Sequence, residues 1–173
     1  MRVLIISLPR TGSTSLLYKI AKEKKLIPLF EPFDGTGRFL YDGQDNIVFK
    51  TIIFQHPNNI QLSKEFDEVI LLSRKNFKEH LESYSYIYHN IPLGYDSTKP
   101  YKYIAPSDKV ISDSKKLLIK MKNDLQILSD VLKIPIQYYE DFFDEKSKDR
   151  LRTDLIDKIK IIWFPFQKKN VIR

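Results

Sequence analysis

The fold of this chain is decided by residues 1–24, which read MRVLIISLPRTGSTSLLYKIAKEK. Val3-Leu4-Ile5-Ile6 is a continuous apolar run with β-branched members, a pattern typical of a strand buried on both faces of a parallel sheet. A polar turn follows directly, and apolar residues then recur at helical spacing from Leu16 to Ala21. The segment therefore predicts a strand, a tight loop over residues 9–15 and a helix at the end of that loop.

Further apolar runs alternate with helical patterns along the chain. Residues 47–54, 68–72 and 134–138 each predict a strand, whereas residues 28–45 carry Pro and Gly punctuation and predict a long irregular stretch. Strands that alternate with helices favour a mostly parallel sheet covered on both faces. We therefore predict an α/β fold of three layers with a mostly parallel central sheet, and we expect ligands at the carboxyl ends of its strands.

Three later helices are predicted from apolar periodicity. The first begins soon after Asn76, and the second begins near Ser107 or Asp113, since both residue types cap helices. The buried stripe of the second helix is expected to comprise Leu118, Met121, Leu125, Leu128 and Leu132. The third helix is predicted from Leu151, Leu155 and Ile159.

Composition bounds the class of protein. A chain of 173 residues, 42% of them hydrophobic, suits a single domain over residues 1–173. It contains no cysteine, which excludes disulfides and thiol nucleophiles, and no apolar run approaches the roughly 20 residues of a membrane span. The net charge of +7 favours an anionic partner, but scattered basic residues argue against nucleic acid. We expect a cytoplasmic protein.

The loop over residues 9–15 combines groups that bind oxyanions. A strand that turns sharply into a helix exposes unpaired backbone N–H groups, and the helix dipole adds positive potential there. Arg10 supplies a planar fork suited to phosphate or sulfate. Four hydroxyl side chains add donors: Thr11, Ser13, Thr14 and Ser15. An ordinary capped helix after a strand would also fit this segment taken alone.

Four segments resemble motifs of the sulfotransferase family, in the family's order. Pro9-Arg10-Thr11-Gly12-Ser13-Thr14 resembles its 5′-phosphosulfate loop, and Val48-Phe49-Lys50-Thr51 looks like its second strand. Ile70-Leu71-Leu72-Ser73-Arg74 followed by Ser83 resembles its 3′-phosphate motif, and Tyr139-Glu140-Asp141 resembles the end of its late strand. The resemblance covers roughly residues 3–145 and implies a P-loop-like sulfotransferase fold.

The resemblance implies 3′-phosphoadenosine 5′-phosphosulfate as the donor and a hydroxylated acceptor, with carbohydrate as the favoured class. The 5′-phosphosulfate would lie against Arg10 and residues 11–15, the 3′-phosphate against Arg74 and Ser83, and the adenine against Tyr139. Arg10 would neutralise charge on the leaving nucleotide. An Arg at a strand end and a hydroxyl on the next helix can also converge on one phosphate by general geometry.

Each of these assignments has an alternative. Ser85 competes with Ser83, and the helical register decides between them. Arg74 would otherwise form a surface ion pair with Glu79 or Glu82. By its position in the resemblance Lys50 assists at the sulfuryl group, although it would also fit a surface strand position.

The acceptor also needs a base. Glu31 is the first candidate, because it opens a loop punctuated by Pro and Gly, and His56 is the second, four residues beyond the position of the family's base histidine. His80 and His89 are expected on the surface of a helix. The three histidines lack metal-ligand spacing, and sulfuryl transfer needs no metal.

Two other functions stay open. An atypical P-loop kinase is disfavoured because that motif requires a lysine after its second glycine, whereas Ser13 follows Gly12 here. A non-catalytic nucleotide-binding module is favoured by the positive charge and by the unproven base. Binding of 3′,5′-bisphosphoadenosine rather than ATP would separate the sulfotransferase from the kinase.

Overall fold

The structure is a computed structural model that describes residues 1–30, 45–56, 58–90 and 105–143. The chain forms two compact units, Met1–Tyr139 and Glu140–Arg173, and the second is described only at residues 140–143. The sheet and the candidate site belong to the first unit. The single domain over residues 1–173 stays a prediction, and the predicted helix from Leu151 to Ile159 lies outside the described residues.

Five strands and five helices follow one another in the described residues. The strands are β1 (Arg2–Ser7), β2 (Ile27–Phe30), β3 (Ile47–Ile52), β4 (Glu68–Ser73) and β5 (Ile136–Tyr138). The helices are α1 (Ser13–Lys24), α2 (Asn59–Ser63), α3 (Phe77–Asn90), α4 (Asp108–Leu132) and α5 (Tyr139–Phe142).

The strands form one parallel sheet in the order β2-β3-β1-β4-β5. β1 is central, and its Ile5 pairs with Lys50 of β3 on one side and with Ile70 of β4 on the other. The chain leaves β1 through α1 toward β2 and β3, and later moves to β4 and β5 on the opposite side. Open parallel sheets bind ligands at the carboxyl ends of their strands, where the strand order reverses. The loops after Ser7 and Ser73 are therefore the expected binding positions.

Helices cover both faces of the sheet because its central strand is apolar on both. Leu4 and Ile6 of β1 belong to one core cluster with Leu118 of α4. Val3 and Ile5 alternate with them and face the other side, where α1 packs against β1 and β3. The four apolar side chains of β1 are fully buried, and each contributes about 1.5–3 kcal/mol of hydrophobic free energy. The predicted α/β class with a mostly parallel sheet is confirmed.

The helix boundaries follow the predicted caps. The Ser107 Oγ accepts the Val110 N–H at 3.4 Å, so Ser107 rather than Asp113 precedes α4. The Asn76 Oδ1 accepts the Glu79 N–H at 3.2 Å at the start of α3. The stripe predicted for α4 is confirmed: Leu118, Met121, Leu125 and Leu128 are buried, and the partly buried Leu132 packs against the same cluster.

β2 differs from the sequence expectation. Residues 28–30 fall in the stretch predicted to be irregular, yet they pair with β3, with Pro28 opposite Val48. Pro is tolerated there because β2 is an edge strand, which needs ladder hydrogen bonds on one side only. The prediction is therefore wrong for residues 28–30, and residues 31–44 lie outside the described part of the chain.

Candidate functional site

The β1–α1 loop, residues 8–12, lies at the carboxyl end of the central strand. Arg10 and Gly12 both have a left-handed backbone, with φ values of 62° and 76°. For a residue with a Cβ this conformation costs about 1–2 kcal/mol, so the surroundings must hold Arg10 in place. Thr11 is fully buried, and its Oγ1 donates to the Leu8 carbonyl at 2.8 Å. Because the hydroxyl hydrogen of Thr11 is used within the loop, Thr11 can donate to a ligand only through its backbone N–H.

α1 begins directly after this loop without a side-chain cap. Gly12 is the N-cap residue, and its carbonyl accepts the Leu16 N–H at 3.1 Å. The first N–H groups of a helix have no partner within it, so the amides of Ser13, Thr14 and Ser15 carry the positive end of the helix dipole. Ser13 is buried, whereas Thr14 and Ser15 are half-buried. The predicted strand, tight loop and helix are confirmed.

One face of α3 holds the β1–α1 loop. His80 is fully buried, and its Nε2 lies 2.7 Å from the Pro9 carbonyl oxygen. A carbonyl only accepts, so this ring nitrogen carries the hydrogen. Three residues further along the helix, the Ser83 Oγ accepts from Arg10 Nε at 3.2 Å. The expectation that His80 lies on a helix surface is wrong, because its ring is needed inside as a donor to the loop.

The helical register separates the two candidate serines of α3. Ser83 is half-buried and contacts Arg10, whereas Ser85 is only 1% exposed and lies within the packed interior. Residues two apart in a helix point in different directions, so only one of the two can face the loop. The structure brings Ser83 to the loop.

Arg74 and Tyr139 form a second cluster beside the same loop. The Tyr139 ring packs on Gly12 so closely that a Cβ on that residue would overlap its Cδ2 and Cε2 atoms. The Arg74 guanidinium lies 5.5 Å from the centre of that ring, within cation–π range. An Arg74 Nη also lies 3.7 Å from a Glu79 carboxylate oxygen.

The contact with Glu79 is one of the two ion pairs that the sequence left open as an alternative role for Arg74. It is not a simple surface pair, since the Arg74 side chain is 16% exposed and that of Glu79 is 52% exposed. The mostly buried Arg74 side chain lies against Tyr139, whereas the Glu79 carboxylate faces solvent. Ser83 contacts Arg10 of the β1–α1 loop, and Arg74 lies against Tyr139, whose ring packs on Gly12 of the same loop.

Lys50 lies inside the protein rather than on its surface. It is 7% exposed and occupies the register position beside Ile5, on the face of the sheet that α1 covers. The adjacent Thr51 is fully buried, and its carbonyl accepts from Ser7 Oγ at 3.4 Å. This hydrogen bond links the carboxyl ends of β1 and β3 just before the β1–α1 loop.

Of the two candidate bases, the structure describes only His56. Glu31 lies outside the described residues. His56 follows β3, and its Nδ1 accepts the Asn58 N–H at 3.1 Å. In a neutral imidazole the other nitrogen is then the N–H, so the acceptor lone pair of His56 is already engaged. This hydrogen bond weighs against His56 as a base.

His56 also lines a groove of about 330 Å³ between the turn after β3, α2 and α4. Its walls carry exposed apolar side chains, including Phe54 and Ile127, with Asp124 as a charged member. None of residues 8–12 lines this groove. This groove and the β1–α1 loop are therefore separate features among the described residues.

Two tyrosines near these elements have perturbed acidity. Burial raises the pKa of Tyr18 on α1 above its ordinary value of 10.0. Burial also raises the pKa of Tyr84 on α3, and the charge of an ionised Tyr88 raises it further. Both phenols therefore stay neutral at physiological pH.

Comparisons with known proteins add no relative. No model of a known protein family matches the sequence, and no curated protein matches it significantly. In the part of the chain that the structure describes, no group of three or more His, Asp or Glu side chains is arranged to hold a metal ion. No described helix is long and apolar enough to cross a lipid bilayer.

Proposed function

We propose that this protein is a sulfotransferase that moves the sulfuryl group of 3′-phosphoadenosine 5′-phosphosulfate to a hydroxylated acceptor, with carbohydrate as the favoured class. The observation that carries the proposal is Arg10. Its exposed guanidinium stands directly before the amino end of α1 and is held through Nε by Ser83. An arginine held at Nε directs its two Nη groups together, which suits an oxyanion.

The phosphates at the two ends of the donor would use different groups. Arg10 and the first amides of α1 would receive the 5′-phosphosulfate. The Ser83 hydroxyl accepts from Arg10 and can still donate its own hydrogen to a 3′-phosphate oxygen. Arg74 would complete that site by exchanging Glu79 for the phosphate, and Tyr139 would lie beside the adenine.

The transfer step makes one bond and breaks one. The acceptor oxygen bonds to sulfur as the bond between sulfur and the bridging oxygen breaks, and 3′,5′-bisphosphoadenosine leaves with the negative charge. Arg10 stabilises that charge without donating a proton, because an arginine guanidinium is not deprotonated in proteins. Most of the rate enhancement then comes from positioned charge, as in phosphoryl transfer. Lys50 would assist at the sulfuryl group from β3.

The acceptor proton passes to a carboxylate in this proposal. Glu31 is the preferred base, since the acceptor nitrogen of His56 is engaged by Asn58. Two substitutions separate the candidates: Glu31→Gln should remove most of the turnover if the carboxylate is the base, whereas His56→Gln should do so if the imidazole is the base.

Calorimetry tests the donor. We expect 3′,5′-bisphosphoadenosine to bind more tightly than ATP, because Arg74 and Ser83 recognise a 3′-phosphate that ATP lacks. Tight ATP binding without a response to the bisphosphate would contradict the proposal and favour the kinase. Bisphosphate binding with no turnover of labelled donor on sugar, phenol or peptide acceptors would favour the non-catalytic module.

The two arginines should differ in kinetic effect. Arg10→Ala is expected to lower kcat by about 10²–10³ with a smaller effect on donor affinity, because it removes charge stabilisation in the transition state. Arg74→Ala is expected to weaken donor binding about 10- to 100-fold through lost charge-assisted hydrogen bonds. Arg2→Ala, at the opposite end of β1, is the matched control and should change neither. The reverse pattern for Arg10 and Arg74 would show that their roles are exchanged.

A further inference from the structure

His80 is a buried polar side chain that the proposed reaction does not use. It is 0% exposed, and its Nε2 reaches a carbonyl 71 residues earlier in the sequence. That carbonyl belongs to Pro9, itself buried, in the peptide immediately before Arg10. A second α3 side chain, that of Ser83, also forms a hydrogen bond with the loop.

The hydrogen bond fixes a whole peptide plane. No cis peptide occurs in the described residues, and in a trans peptide the carbonyl and the next N–H point in opposite directions. With the Pro9 carbonyl held toward α3, the Arg10 N–H must point away from that helix. The same peptide sets the starting point for the left-handed conformation of Arg10.

We propose that His80 is a positioning residue of the β1–α1 loop. It orients the amide and the guanidinium of Arg10 through the Pro9 carbonyl. The proposal rests on the proposed function in that the loop is taken to bind the donor's phosphosulfate. His80 itself touches neither donor nor acceptor. Its chemistry is that of an imidazole whose Nε2–H donates to a buried carbonyl.

The free energy of the His80 hydrogen bond is comparable to the backbone cost at Arg10. Holding Arg10 at φ 62° has a backbone cost similar to the net gain of one or two hydrogen bonds. His80 and Ser83 supply two such bonds, one to the backbone and one to the side chain of the loop. Loss of the His80 bond also leaves a buried carbonyl unsatisfied, which adds the desolvation penalty of that group. Without this hydrogen bond, the β1–α1 loop is expected to rearrange.

Three variants separate a donor from a space-filling side chain. His80→Gln keeps an N–H at nearly the same reach, whereas His80→Leu keeps the volume and removes the donor. His89→Leu is the matched control, because His89 lies nine residues further along α3, about 13 Å along the helix axis. Each folded variant is compared with the wild type by the amide NMR resonances of Arg10 and Gly12. Affinity is measured for pyrophosphate and for 3′,5′-bisphosphoadenosine.

We expect His80→Leu to shift both amide resonances and to lower affinity for both ligands about tenfold, the equivalent of one hydrogen bond. His80→Gln should restore the resonances and bind within about threefold of wild type, and His89→Leu should match wild type. A folded His80→Leu protein with wild-type resonances and affinities would overturn the proposal. So would a glutamine variant that behaves like the leucine variant.

Failure of the proposed function gives a different result. If the wild type binds pyrophosphate in a His80-dependent manner but ignores the bisphosphate, the sulfotransferase proposal fails and the role of His80 stands. If neither ligand binds, the resonances of Arg10 and Gly12 alone decide on His80. If His80→Leu does not fold, nitrogen NMR of the wild-type imidazole decides, since an unprotonated Nε2 would overturn the proposal.

Discussion

Two neighbouring connections at the carboxyl edge of the sheet are built in opposite ways. The turn after β3 is closed by nearby residues: Asn59 Nδ2 donates to the Ile53 carbonyl at 2.6 Å, and the Ile52 N–H donates to Gln55 Oε1 at 2.7 Å. The β1–α1 loop takes its partners from α3, at sequence separations of 71 and 73 residues. The side-chain hydrogen bonds described for the first connection are local, whereas the second combines a local one from Thr11 with two that form only once the unit has folded.

The two connections differ in how far residues distant in sequence fix their conformation. A turn whose side-chain hydrogen bonds are local depends less on the rest of the protein for its conformation. A loop held from outside can be kept in a conformation that its own residues disfavour, as Arg10 is at φ 62°. The second arrangement presents a guanidinium and helix amides in fixed directions, which is a requirement for electrostatic catalysis.

The largest effect is expected from Gly12→Ala in the β1–α1 loop. A methyl group there meets the Tyr139 ring and forces a left-handed conformation on alanine. We expect the free energy of unfolding to fall by about 2–5 kcal/mol, the sum of overpacking and backbone cost, with loss of donor binding. Urea denaturation and calorimetry measure the two effects.

A double-mutant cycle sharpens this result. In a Tyr139→Ala background the steric part should disappear, so Gly12→Ala should cost only the backbone share of about 1–2 kcal/mol. Additive effects of the two substitutions would show that the methyl group and the ring do not meet.

A smaller effect of a different kind is expected from Asn59→Ala in the turn after β3. Loss of the hydrogen bond to the Ile53 carbonyl should lower the free energy of unfolding by about 1–2 kcal/mol. Donor affinity should stay at the wild-type value, because this turn is closed locally. Asn123→Ala on the exposed side of α4 is the control for stability. A marked loss of donor affinity would break the distinction between the two connections.

Ser83→Ala should have a modest effect on stability and a clear effect on binding. Arg10 Nε loses its acceptor, which costs about 0.5 kcal/mol or less at this exposed position. Donor affinity should fall about three- to tenfold, since the anchored guanidinium and a phosphate contact are lost together. Ser85→Ala is the matched control on the same helix and should bind the donor normally. Equal effects of the two substitutions would contradict the register described for α3.

The smallest effect concerns α3 at high pH. The pKa of Tyr84 is raised in the folded protein by burial and then by Tyr88, whose ring centre lies 6.1 Å away. Its contribution to stability is therefore complete below about pH 10 and is lost as the pH rises through the folded pKa. Tyr84→Phe should flatten the fall in stability above pH 10, measured by urea denaturation. An unchanged alkaline slope would exclude Tyr84 as its source.

The sequence predicted features that depend on local patterns. The apolar run before Ser7, the cap at Ser107 and the stripe of α4 all follow from residue spacing, and the structure agrees with them. The inward position of His80 has no such signal, because a polar residue at a helical position usually faces solvent. Its partner carbonyl is distant in sequence, so only the tertiary structure identifies it.

The same limit applies to residue roles within the motif. The sequence indicated that Thr11 carries a hydroxyl near the loop, but the hydrogen bond to Leu8 depends on the backbone turn around it. Pro28 obscured β2, because an edge position cannot be distinguished from an interior one by composition. The locations of strands were thus more predictable than the directions of individual polar groups.

The central position of β1 has a consequence for synthesis of the chain. β1 is made before both of its partners, since Arg2 pairs with Ile47 and Val3 pairs with Glu68. At roughly 5–20 residues per second, translation leaves this apolar strand without its neighbours for several seconds. β1 is therefore paired on both sides only after β4 has been made, and slowing translation between residues 7 and 68 should increase aggregation of the nascent chain.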